Sequence, residues 1–349
     1  MRDGLDMMNF SRRHFLAGAG IASAGLSTGL AAPAFAQAAA GKTFRIAILT
    51  PRENIGDVVG FRDFFANARI KVDYDMRVIA NMADMPGHIE ALRETKPDLI
   101  FTIFTPITQA VLGSHDAADK SKFITDIPVV FSSVTNPVAS KVVPSLDAPG
   151  RNCTGTRHIA PLDTQVRTIS LMKPVKKLAI IYNPAESNMV VTADELRTLQ
   201  QPLGFQMLDK PVPMDAEKKP NAAAIPDLVR QAAKEGADFI YIGPDTLVGS
   251  NNSKAVADTA LELKIPTFCA TELPVRQSNM LMGLVSRAYN VGRFAGYKAS
   301  EILVGGKPAQ SVPVETLKRF SFIIRIPVAQ KLDLYPPMRL LNIAEVITA

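Results

Sequence analysis

A chain of 349 residues is long enough for two domains of about 150 residues, each able to bury its own core. Hydrophobic residues make up 47% and charged residues 21%, ordinary globular usage that excludes disordered, collagen-like and coiled-coil classes. The net charge of +6 comes from scattered Lys and Arg with no basic run or aromatic-interleaved stripe, so nucleic acid is not an expected partner.

The first 36 residues read as an export signal. Ser11-Arg12-Arg13-His14-Phe15-Leu16 opens a weakly apolar Gly/Ala-rich stretch, and Ala34-Phe35-Ala36 puts small residues where a signal peptidase reads. Paired arginines before Phe-Leu mark a twin-arginine signal, so the Tat export machinery is an expected partner. Cleavage is expected after Ala36 and the product in the periplasm. Gly18-Ala19-Gly20 falls inside this stretch and follows no strand, so it is no dinucleotide fingerprint.

Beyond the signal, short apolar runs alternate with helical spacing. Phe44 to Thr50, Asp98 to Phe104 and Pro128 to Phe131 read as buried parallel strands. Met189, Ala193, Leu196 and Leu203 mark a helix with Ser187 or Asn188 as the N-cap. Ile225, Leu228, Val229, Ala232 and Ala233 mark another, with Gly236 at its C-terminal cap. This alternation predicts an α/β fold with parallel sheets covered on both faces.

A repeat at domain scale adds the architecture. Phe44-Arg45-Ile46-Ala47-Ile48-Leu49-Thr50-Pro51 is echoed by Lys177-Leu178-Ala179-Ile180-Ile181-Tyr182-Asn183-Pro184. Asp98-Leu99-Ile100-Phe101 is echoed by Asp238-Phe239-Ile240-Tyr241, and Ile127-Pro128 by Ile265-Pro266, in the same order and at similar spacing. Two similar open-sheet lobes enclosing a cleft are therefore expected. Open α/β sheets bind ligands at their strand ends, and here those ends carry small polar residues. They include Thr50, Arg52, Thr105, Ser132, Ser133, Thr135 and Asn136 from the first half, and Asn183, Glu186, Asn188, Asp245, Thr246 and Glu272 from the second. Helices starting there aim free N–H groups at the same space, which favours an anionic group on a small polar ligand.

Catalytic signatures are missing: no HExxH, GxSxG or GxxxxGK occurs, and no histidine has metal-ligand spacing. No catalytic residue, metal or cofactor is expected. Asp245 and Glu272 could form an acid/base pair, or could instead bind Arg287 or a ligand amine. Cys153 and Cys269 are too few for a disulfide framework, and whether they pair is left open.

Several longer segments resemble a known family. They are Thr102-Ile103-Phe104-Thr105-Pro106-Ile107-Thr108-Gln109-Ala110, similar to that family's "ATPAAQA" segment, and Ile127-Pro128-Val129-Val130-Phe131-Ser132-Ser133-Val134-Thr135-Asn136-Pro137-Val138. Asn152-Cys153-Thr154-Gly155-Thr156, Ile181-Tyr182-Asn183-Pro184-Ala185-Glu186-Ser187-Asn188 and Pro313-Val314-Glu315-Thr316 complete the set. Together they resemble the substrate-binding proteins of ABC transporters, in the group that includes tryptophan and aromatic amino-acid binders.

The resemblance spans roughly residues 43–335 and implies a type I periplasmic-binding-protein fold, two Rossmann-like lobes joined by three crossovers. It implies a first lobe of 43–157 plus 284–310 and a second of 158–283 plus 311–349. The hinge is expected near Gly155–Ile159, Gly283–Tyr289 and Ser311–Glu315. A small-molecule ligand, no cofactor, and the permease and ATPase of an ABC importer follow as implied partners. Thr105, Pro106, Ser133 and Thr135 match first-lobe pocket segments, and Asn188, Asp245 and Thr246 match second-lobe ones.

Two positions depart from the family. Asn136 stands where Asp is frequent, and Arg287 falls where the family's "GVDYYDLG" pattern is acidic. An arginine there points to a carboxylate-bearing ligand held in a two-pronged hydrogen bond; the competing reading is that Arg287 only neutralises Asp245 or Glu272. The other functional class compatible with the sequence is a Tat-exported enzyme on the same two-lobed fold.

Overall fold

The computed structural model describes residues 41–348, so the expected export signal and its cleavage site lie outside the described residues. From Phe44 the order is β1 (Phe44–Thr50), α1 (Gly56–Asn67), β2 (Val72–Val78), α2 (Met85–Thr95), β3 (Leu99–Ile103), α3 (Thr105–Leu112), β4 (Val129–Ser132) and β5 (Cys153–Arg157). A second series follows: α4 (Leu162–Ser170), β6 (Lys177–Tyr182), α5 (Ser187–Leu203), β7 (Gln206–Pro211), α6 (Ile225–Lys234), β8 (Phe239–Ile242), α7 (Ser253–Glu262), β9 (Thr267–Cys269), α8 (Glu272–Gln277) and β10 (Met282–Val285). The chain continues through α9 (Ala288–Leu303), β11 (Glu315–Thr316), β12 (Ser321–Arg325), α10 (Ile326–Leu332), α11 (Met338–Leu341) and β13 (Ala344–Ile347).

The strands form two sheets, ordered β11-β5-β4-β3-β1-β2 and β13-β12-β10-β9-β8-β6-β7. The run β2-β1-β3-β4-β5 in one matches β7-β6-β8-β9-β10 in the other, so the sequence repeat is a repeat of sheet topology. Its aspartates show why it persists. Asp98 Oδ2 accepts from Arg45 N–H (2.8 Å) at the head of β1, and Asp238 Oδ2 accepts from Lys177 N–H (2.9 Å) at the head of β6. Each carboxylate splices two neighbouring parallel strands where their ladder begins.

Both faces of each sheet are covered, as parallel sheets require. Along β1, Phe44, Ile46 and Ile48 pack with Phe61, Phe65 and Ala295, while Ala47 and Leu49 pack with Ile89, Leu92 and Val111. Along β6, Leu178 and Ile180 face Val166 and Leu196, and Ala179 and Ile181 face Val229 and Ala232. The period-2 alternation of strand side chains thus serves two apolar layers at once.

Several local expectations need correction. Helix α5 begins at Ser187, so Ser187 and Asn188 lie in its first turn and Glu186 holds the N-cap position. The glycine expected to end α6 does so: Gly236, at φ +78°, follows the C-cap Glu235, with Gly236 N–H bonded to Ala233 O (2.9 Å) and Ala237 N–H to Ala232 O (3.0 Å). The segment 311–316 does not join the second lobe: β11 pairs in parallel with β5, extending the first sheet to Thr316. The third crossing therefore falls at residues 317–320, after the position expected from sequence. Strand β12 then runs antiparallel to β10, and β13 closes the edge of the second sheet.

Candidate ligand-binding site

The carboxyl ends of both sheets face one cavity of about 930 Å³, walled by both lobes and by the crossing segments. Open α/β sheets place their ligand crevices at this end. The lobes meet beside it, where Ser187 Oγ of α5 donates to Gln109 Oε1 of α3 (2.9 Å).

Eight of the ten residues expected at the site line this cavity. Thr105 and Pro106 open α3, Ser133 and Thr135 follow β4, Asn188 lies in the first turn of α5, and Asp245, Thr246 and Glu272 follow β8 and β9. Asn136 is not among the lining residues; its Oδ1 accepts from Ala139 N–H (3.1 Å) and closes a local turn. Arg287 is not in the wall either. Its guanidinium bonds Glu345 Oε2 (2.5 Å) of β13 and Ser321 Oγ (3.4 Å), and neither Asp245 nor Glu272 is its partner. The reason is parity: the chain stays extended past β10, successive side chains point to opposite sides, and Ser286 takes the cavity side.

Asp245 and Glu272 do not form an acid/base pair. Asp245 Oδ2 accepts from Asn183 N–H (2.6 Å) and Oδ1 from Val248 N–H (2.6 Å), capping the wide turn Thr246–Asn251. Burial raises its pKa, and the neighbouring Glu186 carboxylate acts in the same direction. Glu186 is itself held by Thr246 N–H, at 3.1 and 3.0 Å to its two oxygens. Glu272 accepts from Arg276 Nε (2.6 Å) and from Ala288 N–H (3.0 Å), so it caps α9 across the second crossing. Arg276 also grips Glu345 through both terminal nitrogens (2.9 and 3.1 Å), which ties β13 to the cavity wall.

The principal residue that sequence reasoning missed is Asp57, in the first turn of α1. It is 2% exposed, lines the cavity, and accepts the hydroxyls of Ser132 (2.5 Å) and Ser133 (2.6 Å) at the same oxygen, Oδ1. Burial pushes its carboxyl up to about 6; the two serines pull it back in part, and the Glu272 carboxylate raises it further. An acid near a helix start is a legible signal. Its pairing with residues 75 and 76 positions away is not.

Close helix packing sets Asp57 in place. A Cβ on Gly60 would lie 1.9 Å from Tyr289 O, and one on Gly292 would lie 2.0 Å from Asp57 O. Helices α1 and α9 therefore touch backbone to backbone, at a distance that only glycine allows. Two further cavity residues carry left-handed backbone, Phe104 at φ +69° and Ser133 at φ +57°. Such conformations cost about 1–3 kcal/mol each and persist where the surroundings hold them.

The two cysteines are buried and free, Cys153 in the first sheet and Cys269 in the second. Among the described residues no cluster of His, Cys, Asp or Glu suits a metal ion, and no helix is long and apolar enough to cross a membrane.

With this two-lobed geometry, residues 60–347 match the family model for ABC transporter substrate binding proteins. The chain belongs to that family. Its members are substrate-binding proteins, and its fold is that of type I periplasmic binding proteins. A curated relative is a tyrosine-binding protein of Clostridioides difficile (strain R20291), 29% identical over 243 residues. That alignment covers 68% of this chain and 64% of the relative, so the chain spans less than two thirds of that protein's length. Among solved structures, a conserved domain protein from Vibrio cholerae superposes with a TM-score of 0.76 at 24% identity, covering 88% of this chain and 100% of that one. An ABC domain from Streptococcus pneumonia in complex with L-Trp gives 0.73 at 21% identity, covering 87% of this chain and 100% of that one.

Proposed function

We propose that this substrate-binding protein, exported by the Tat route and released in the periplasm, captures a small zwitterion of the amino-acid class between its lobes. It then hands the ligand to the permease of an ABC importer. The observation that carries this reading is the pairing of opposite electrostatics around one cavity. Helices α1, α3 and α5 begin at its wall, and their first N–H groups lack intrahelical acceptors, which suits a carboxylate. Arg52, exposed at the same wall, adds a cation. Asp57 supplies the anion for an ammonium group, since both serine hydroxyls go to Oδ1 and Oδ2 takes neither. Ile55, Val78, Phe104, Pro106 and Leu273 add apolar wall for the rest of the ligand.

The site residues in this reading are Thr105, Pro106, Ser133, Thr135, Asn188 and Thr246, joined by Asp57 and Arg52. Asp245 and Glu272 brace the wall. The names of the relatives, a tyrosine binder and an L-Trp complex, agree with an aromatic amino acid. Capture is expected to close the lobes about the three crossings. Calorimetric titration with L-tyrosine, L-tryptophan and L-phenylalanine, beside the matching amines and deaminated acids, tests the reading. The amino acids are expected to bind at least about tenfold more tightly than either half-charged analogue, the worth of one charge-assisted contact. Equal binding of the amines, or no binding of any amino acid, would overturn it.

A further inference from the structure

Among the buried polar atoms of residues lining the cavity, Asn188 Oδ1, His158 Nδ1 and Ser286 Oγ have no hydrogen-bond partner among the described residues, and two of these residues, His158 and Ser286, lie on the crossings. Native interiors leave few such atoms unpaired, and those that remain call for an explanation. The two are brought together by the crossings. Ile159 pairs antiparallel with Val285, and that register sets His158 opposite Ser286 on the same side of a two-stranded ribbon. The ribbon joins the lobes, so both residues lie where the two walls of the cavity meet.

The pair is uncharged. Burial drives the His158 pKa down to about 3, with the Arg157 guanidinium beside it acting in the same direction. Arg157 itself turns away, its Nε donating to Thr135 O (3.2 Å). A neutral imidazole and a hydroxyl between them both donate and accept.

We propose that His158 and Ser286 recognise an uncharged hydroxyl or amide group on the ligand, separate from its charged head, and so set specificity among otherwise similar ligands. This rests on the amino-acid reading above. A ligand that lacks such a group leaves both atoms buried and unpaired, the arrangement by which binding sites reject analogues most strongly. A purely apolar ligand body is thereby disfavoured.

The test compares L-tyrosine with L-phenylalanine, which differ by one hydroxyl, on the full exported protein and on its Ser286→Ala and His158→Phe variants. Wild type is expected to prefer tyrosine by at least about tenfold, and each variant to shrink that ratio several-fold. The ligand-free Ser286→Ala protein is expected to unfold at an unchanged or higher denaturant midpoint, because its buried hydroxyl has no partner to lose. Equal affinity of wild type for the two amino acids, or a ratio untouched by both variants, overturns the proposal while leaving the amino-acid reading intact. Failure of tyrosine, phenylalanine and tryptophan alike to bind wild type overturns that reading, and this assignment with it.

Discussion

Asp57 is the residue whose change carries the most information. Moving a carboxyl from its ordinary 3.8 to about 6 amounts to about 3 kcal/mol of preference for the protonated form in the folded chain. Because the folded value lies above the ordinary one, this stabilising contribution is fully present below about pH 3.8 and is lost as pH rises through about 6. Ligand-free protein at neutral pH thus holds an ionised, buried carboxylate at a disadvantage. Asp57→Asn keeps an oxygen for Ser132 and Ser133 but removes the charge. The variant is expected to gain up to about 3 kcal/mol at about pH 8, and to converge on wild type near about pH 4. Asp245 titrates in both proteins, so its contribution cancels in the difference. Urea unfolding of the ligand-free proteins across this range measures it. The same substitution is expected to weaken amino-acid binding about 10- to 150-fold, the worth of a charge-assisted hydrogen bond. A variant less stable than wild type at alkaline pH, or a stability gap that does not change with pH, would refute the reasoning. A stability gain with unchanged affinity would remove Asp57 from the ligand's surroundings.

Gly60→Ala drives a Cβ to 1.9 Å from Tyr289 O, so it is expected to destabilise by at least about 1–3 kcal/mol and to shift Asp57 with α1; denaturant unfolding and titration measure the two effects. Arg287→Ala is expected to leave affinity within about twofold and stability within about 1 kcal/mol, because its partner is a half-exposed Glu345. Arg52→Ala is expected instead to weaken binding about tenfold if the arginine meets the ligand carboxylate, so titrations of the pair tell the two arginines apart. Cys153 and Cys269 are expected to resist a thiol reagent in the native state and to react only on unfolding. Burial pushes the Cys153 thiol up to about 12 and raises Cys269 as well. Rapid labelling of folded protein would contradict this.

The strand runs, the internal repeat and the polar strand ends were all legible in the chain, because each is a short-range pattern. Buried parallel strands read as apolar runs, and a repeated Asp-Leu-Ile or Asp-Phe-Ile marks the place where one carboxylate splices two strands. Eight of the ten expected site residues reach the cavity for the same reason: sheet topology alone sends the ends of β3, β4, β6, β8 and β9 to one place. Strand β11 escaped notice because its two residues are too few to show a period, and the third crossing was misplaced with it.

What tertiary structure decided is the direction of individual side chains and the partners they find far along the chain. One residue of parity in an extended segment turns Ser286 into the cavity and Arg287 away from it to Glu345. Asp57 becomes a buried acid because Ser132 and Ser133, after β4, come to meet it, and because Gly60 and Gly292 let α1 and α9 touch. Local sequence sets which residues stand at a strand end. Only the packing of the two sheets and the helices between them sets which of those residues look at one another, since that depends on contacts that no local pattern encodes.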